Sequence, residues 1–156
     1  TMHLLSRAGL TANAQSRTAK EFFKRLRPFQ IDKKRKTCQK PDELKDSFDY
    51  PSGHTTWGWT WALILANLAP DRATPILARG RAYGESRVVC GVHNYSAIEA
   101  GRITASGTYA AELGRPEFQA DLAAARAELS ALRADPATPK PENCAAEAQL
   151  VALPIL

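Results

Sequence analysis

Apolar residues recur at helical spacing along most of the chain, and no stretch shows the two-residue alternation of a strand. From about Thr11 to Leu26, the residues Ala12, Ala19, Phe22, Phe23 and Leu26 share one face, which predicts a first helix anchored by the two phenylalanines. Pro28 stops it, because the residue before a proline avoids the α region. A second helix is predicted from about Gly53 to Leu68. Trp57, Trp61, Ile64, Leu65 and Leu68 form its apolar face, and Gly58, Ala62 and Ala66 form a small-residue line open to a neighbouring helix. Residues 71 to 90 read as a third, with Asp71 as cap and Ile76, Leu77, Ala82 and Tyr83 inside. A fourth runs from about Asn94 to Leu113, thin because of Ala97, Ala100, Gly101, Ala105, Gly107 and Ala110. A fifth runs from Pro116 to about Arg133 with the stripe Phe118, Leu122, Ala125, Leu129 and Leu132. A proline-rich connector, Asp135 to Glu142, leads to a last short helix from about Asn143 to Leu153. The expected fold is all-α, a bundle of about five to six helices.

The chain's 156 residues suit one domain with one core. Its longest apolar run, Trp57 to Ala69, is interrupted by Thr60 and Asn67 and is too short to span a bilayer, so it reads as a core helix. No signal peptide is visible, and the start at Thr1-Met2 reads as processed or trimmed. The net charge of +5 favours an anionic partner. Part of it sits in Lys33-Lys34-Arg35-Lys36, inside an aperiodic run from 29 to 49. No aromatic interleaving or repeated basic stripe accompanies that tetrad, so nucleic acid is not the expected partner, and the run reads as a loop at the mouth of a site. No Cys/His cluster has metal-ligand spacing. Cys90 lies in an apolar run and reads as a buried thiol. Cys38 and Cys144 lie in polar surroundings and are the pair available for a disulfide in an oxidising compartment. The Trp-rich and Ala-rich helices leave a homo-oligomer open.

Three separated segments point to one chemistry. In Lys20-x6-Arg27-Pro28 the two cations are seven residues apart, within about 20° of each other on a continuous helix. In Pro51-Ser52-Gly53-His54, Ser52 is a strong N-cap, Gly53 lets the backbone approach a ligand, and His54 sits in the first turn of a helix whose N-terminus attracts anions. The third is Ser86-Arg87-x5-His93. Lys20, Arg27 and Arg87 suit the non-bridging oxygens of a phosphoryl group, and Ser52 and the Gly53 N–H add donors. One histidine is then available to attack phosphorus and the other to protonate the leaving oxygen.

These segments, in this order, resemble the type 2 phosphatidic acid phosphatase (PAP2) superfamily. The wording Tyr50-Pro51-Ser52-Gly53-His54-Thr55 and Glu85-Ser86-Arg87-Val88-Val89-Cys90-Gly91-Val92-His93 is similar to the bacterial class A non-specific acid phosphatases within it. The resemblance covers about residues 18 to 113. It implies a helical bundle, secreted or periplasmic, that hydrolyses small phosphomonoesters at acid pH with no metal or other cofactor and is inhibited by phosphate or vanadate. It implies that His93 is the nucleophile forming a phosphohistidine, that His54 is general acid and then base, and that Lys20, Arg27, Ser52, Gly53 and Arg87 hold the phosphate. It also implies helices ahead of the Lys-x6-Arg-Pro segment that are mostly missing here, so the chain reads as a fragment, a processed form or a reduced variant.

One position departs from the family pattern. The aspartate that orients the nucleophile, four residues after it, is Ala97 here. Glu99 is a poor substitute, since two residues along a helix turn it about 200° away. A backbone carbonyl, Ser96 or a carboxylate from the 42–49 loop is available instead. The alternative reading is a catalytically weakened relative that keeps phosphate or vanadate binding. A haloperoxidase-type site is disfavoured by the short length.

Overall fold

A computed structural model describes residues 1–152. The helices are α1 (Met2–Phe23), α2 (Pro28–Ile31), α3 (Gly53–Leu68), α4 (Ala73–Val89), α5 (Tyr95–Leu113), α6 (Pro116–Ala134) and α7 (Cys144–Val151), with 3₁₀ turns at Pro41–Glu43 and Pro70–Arg72. No strand occurs among the described residues, so the all-α bundle is as expected. The expected last helix reached to Leu153, which lies outside the described residues.

α3 is the hub, packed on by α1, α4 and α5. It buries Thr55, Thr56, Thr60, Ala62, Ile64 and Leu68, and its tryptophans are only half-buried. Buried hydroxyls need partners. Thr56 Oγ1 donates to Ser52 O at 2.9 Å and Thr60 Oγ1 to Thr56 O at 2.8 Å. One apolar core joins Leu4, Leu5 and Ala8 of α1 with Ile64 and Leu68 of α3 and Phe118, Leu122 and Ala125 of α6. A fully buried Leu, Ile or Phe side chain contributes roughly 1.5–3 kcal/mol. α1 and α3 run antiparallel, since Trp61 Nε1 donates to Leu5 O while Gly53 lies near Lys20. The core therefore fills one end of the bundle, and the N-terminus of α3 stands at the other.

Two helices differ from expectation. α1 begins at Met2 rather than Thr11 and ends at Phe23 rather than Leu26. Its buried stripe is Leu4, Ala8, Ala12, Ser16 and Lys20, one residue in four. Phe22 and Phe23, the expected anchors, are 82% and 55% exposed. The helix stops because Lys24 takes a left-handed conformation (φ 46°) and its N–H bonds back to Lys20 O. In α4, Asp71 lies in the preceding 3₁₀ turn and is not the cap. Only Gly80, Gly84 and Glu85 of α4 are fully buried, with Ile76, Leu77 and Tyr83 half-buried. Gly80 lies against Ala62 and Trp59, Gly84 against Thr55, and Gly58 under the Tyr83 ring. Missing side chains on both helices let α4 lie close along α3, on the small-residue line read from the sequence.

Candidate active site

The first segment reaches the site by a reversal, not along one helix. Lys20 is the last buried residue of α1, and its Nζ donates to Phe48 O. After Lys24 the chain turns, and Arg27 becomes the N-cap residue of α2, its backbone N–H held by Gln30 Oε1 at 2.7 Å. The expected shared helical face is thus corrected, while both cations still line the same cleft. Arg27 is 2% exposed. Its Nε donates to Ser47 O (2.6 Å), Nη2 to Ser47 Oγ (3.1 Å), and Nη1 both to Val92 O (2.9 Å) and toward His93 Nε2 (3.1 Å). A guanidinium has five N–H donors, so one on Nη2 is left over.

The second segment opens α3 as expected. Ser52 is the N-cap, and its Oγ accepts from Thr55 N–H (3.2 Å) and Thr55 Oγ1 (3.0 Å). Gly53 and His54 line a cleft of about 550 Å³ together with Lys20 and Arg27. The first N–H groups of α3 have no intrahelical acceptor, which gives this wall its anion preference. Gly53 faces α1, where an added Cβ would meet Ser16 Oγ at 3.5 Å and Lys20 Cε at 3.9 Å.

The third segment is the turn between α4 and α5. Val92 and His93 N–H both reach Arg87 O at 3.2 Å. Gly91 has φ +76°, and a Cβ on it would run into Lys36 O, so the turn requires glycine twice over. There the turn lies against residues 36–38, with Cys38 N–H bonded to Cys90 O at 3.2 Å and the two sulfurs joined in a Cys38–Cys90 disulfide. This corrects the expected Cys38–Cys144 pair and the Cys90 thiol; Cys144 is free and exposed on α7. Cys90 is buried among Phe29, Leu44 and Val92, whereas Cys38 is itself exposed on the loop, between half-buried Thr37 and Gln39. The half of the loop carrying Leu44 and Ser47 lines the cleft, while Lys33 to Lys36 are exposed.

His93 has no exposed surface, and its ring centroid is 6.1 Å from that of His54. Its Nδ1 is 2.7 Å from Oδ1 of Asp49, which is also fully buried. Ser52 does not line the cleft: it is fully buried, with its Oγ bonded to Thr55. Arg87 does not line the cleft. Its Nε and Nη2 donate to Ser86 Oγ at 3.1 and 3.0 Å, and its guanidinium lies 5.5 Å over the Tyr83 ring. Asn13, Arg17 and Ser47 also line the cleft and were not foreseen. Nor was Arg25, whose Nε and Nη2 lie 2.9 and 2.8 Å from Asp49 Oδ2. Asp49 was foreseen only as one of several carboxylates in its loop. Its place directly before Tyr50-Pro51 is the one signal that marks it.

The electrostatics follow from crowding cations in a buried place. Burial, then the neighbouring Arg27, pushes the Lys20 ammonium down to about 7 despite the pull of Asp49. Burial, His93 and the charges of Arg87, Arg27 and Lys20 push His54 down to about 4. Burial also brings His93 down to about 4, against the upward pull of its bond to Asp49. Burial pushes the Asp49 carboxyl up, but hydrogen bonds from His93 and Asn94 and the charge of Arg25 outweigh it and hold it below its usual range. An anion in the cleft relieves the repulsion among these cations.

Known proteins share sequence with this chain over all three segments. The PAP2 superfamily profile matches residues 3–112, which include all three segments. An acid phosphatase from Zymomonas mobilis is 44% identical over 147 residues, 93% of this chain and 55% of that protein. A non-specific acid phosphatase from Providencia stuartii is 42% identical over 120 residues, 76% of this chain and 48% of that protein. One from Salmonella typhimurium is 39% identical over 130 residues, 82% and 50% respectively. The chain spans about half the length of the curated relatives it matches. With most of its length under one family profile and the three segments gathered at one end of an all-α bundle, the chain belongs to the PAP2 superfamily.

Proposed function

We propose that residues 1–156 form a single acid phosphatase domain that hydrolyses small phosphate monoesters through a phosphohistidine. The observation that carries this is the pair of imidazoles, His54 and His93, 6.1 Å apart beside a cleft walled by Lys20, Arg27 and the start of α3. The phosphate oxygens take donors from Lys20, the spare Arg27 N–H, Ser52 Oγ and the Gly53 N–H. Arg87 joins them by leaving Ser86. Together these cations offset the charge of the transferring phosphoryl group, the task a metal performs elsewhere. Arg27 Nη1 covers His93 Nε2, and an anion that draws Arg27 forward frees that lone pair.

In the first step His93 Nε2 bonds to phosphorus, the ester P–O bond breaks, and the leaving oxygen takes a proton from His54. In the second, His54 removes a proton from water, the water oxygen attacks phosphorus, and the P–N bond breaks to release phosphate. The acidic optimum follows from His54, which is protonated in the free protein only toward about pH 4 and at higher pH once a phosphate sits beside it. The weakened-relative reading was motivated by Ala97, and the Asp49 contact at His93 Nδ1 supports turnover instead. The disulfide supports an oxidising compartment, hence periplasmic or secreted localisation.

Hydrolysis of an aryl phosphate in the presence of chelator, between about pH 4 and 8, tests the activity. Acid-quenched protein incubated with radiolabelled substrate should carry acid-labile phosphate, absent in His93→Ala and accumulating in His54→Ala. No turnover across that range would rule the reading out.

A further inference from the structure

We infer that Asp49 is the positioning residue for the nucleophile, doing from the loop ahead of α3 what the family resemblance leads one to expect of an acid at position 97. This rests on the reading of His93 as the attacking group. The contacts on the two ring nitrogens agree on a single tautomer. A guanidinium only donates, so Arg27 Nη1 at 3.1 Å requires a lone pair on Nε2. The proton of the neutral ring is then on Nδ1, facing Asp49 Oδ1 at 2.7 Å, and an ionised carboxylate only accepts. The bare nitrogen is thus the one directed at the cations.

Asp49 is itself held from every side. Oδ1 also accepts from Asn94 N–H at 3.2 Å, and Oδ2 from Asn94 Nδ2 at 2.7 Å and from Arg25 Nε at 2.9 Å. Its backbone N–H donates to Arg25 O at 2.8 Å. A carboxylate with its lone pairs filled by fixed donors does not rotate away from the ring. Ala97, by contrast, is wholly buried and offers only its carbonyl, which accepts from Ser52 N–H at 2.9 Å. The relocation has a structural consequence. An acid at position 97 ties the ring to the first turn of α5, the helix that follows it. Asp49 ties it to Arg25 and to the residues that open α3, so one side chain sets the relative places of all three segments. It also faces the positive charge that the ring acquires when Nε2 bonds to phosphorus.

Nitrogen-15 NMR of histidine-labelled chain tests this without relying on activity. At neutral pH the His93 ring should show Nδ1 protonated and Nε2 bare. In Asp49→Asn that tautomer preference should be lost, and kcat should fall on the order of 10²–10⁴-fold with KM little changed. Asp49→Glu should recover part of the loss. A wild-type ring protonated on Nε2, or an Asp49→Asn protein with wild-type spectrum and kcat, would overturn the assignment. If Asp49→Asn fails to fold, the wild-type spectrum still decides. If no phosphomonoester is turned over but the ring spectrum and its loss in Asp49→Asn are as stated, the phosphatase reading falls and the Asp49 contact stands.

Discussion

Lys20, His54 and His93 are bases that bind protons less readily in the folded chain than in the unfolded one. An unfolded histidine titrates near 6.5, whereas His54 and His93 titrate near 4 when folded. Between those values the unfolded chain holds more protons, so stability rises with pH across the window and declines as pH drops through it. Lys20 acts in the same sense between about 7 and 10.5. Asp49 acts in the same sense at lower pH. Its contribution is full above its unfolded value of 3.8 and is lost only as pH falls through its depressed folded value. The melting temperature should therefore be lower at about pH 5 than at about pH 7.5, and inorganic phosphate should raise it more at the acidic value, because a bound anion favours the protonated bases. Calorimetry at both values, with and without phosphate, checks this; a chain more stable at the acidic value would contradict neutral buried imidazoles. Ala97→Asp gives a second expectation. With Asp49 already at His93 Nδ1 and Ala97 fully enclosed, the substitution should give no gain in kcat and should cost roughly 1–3 kcal/mol, read from urea unfolding.

At the scale of elements, the site depends on how closely α5 approaches the start of α3. A Cβ on Gly101 would come within 2.9 Å of Ser52 O and 3.0 Å of Thr55 Cβ, whereas one on Gly107 would meet nothing within 4 Å. Gly101→Ala should therefore cost roughly 1–3 kcal/mol and reduce activity. Gly107→Ala, on the same helix, should stabilise by up to about 1 kcal/mol and leave activity alone. Denaturant midpoints and aryl phosphate turnover compare the pair directly. The contrast also explains what could be read in advance. α3, α5 and α6 lie within a residue of their expected limits, because each carries a clear stripe between a cap, glycine or proline signal. α1 was misjudged because its buried stripe runs through Ala8, Ala12, Ser16 and Lys20, residues that do not announce burial. Lys20, Arg27, Gly53 and His54, which line the cleft, stand in spaced motifs of the sequence; Ser52, Arg87 and His93 stand in the same motifs but do not line it. Arg25 and Asp49 stand in no such motif, since their partners lie 24 to 71 residues away and only the folded chain brings them together.

On the scale of the whole molecule, the Cys38–Cys90 bond closes a loop spanning 52 residues that contains all of α3 and α4. Chain-entropy reasoning gives such a closure about 4 kcal/mol. It also fixes the turn three residues ahead of His93. Reduction, or the Cys38→Ser/Cys90→Ser variant, should lower the denaturant midpoint and reduce kcat. An unchanged midpoint would mean that packing around Phe29, Leu44 and Val92 holds the turn without the bond.

The enclosure of His93 bears on how the nucleophile is to be found by chemical labelling. Of the three imidazoles, His3 is open to solvent, His54 lies at the cleft wall, and His93 presents no surface at all. An acylating reagent added to the resting protein therefore marks His3 and His54 and passes over His93. Inactivation by such a reagent, even with protection by phosphate, would report on His54, the proposed proton donor. The proposed attacking ring, His93, would be identified by a phosphoryl group retained after a quench.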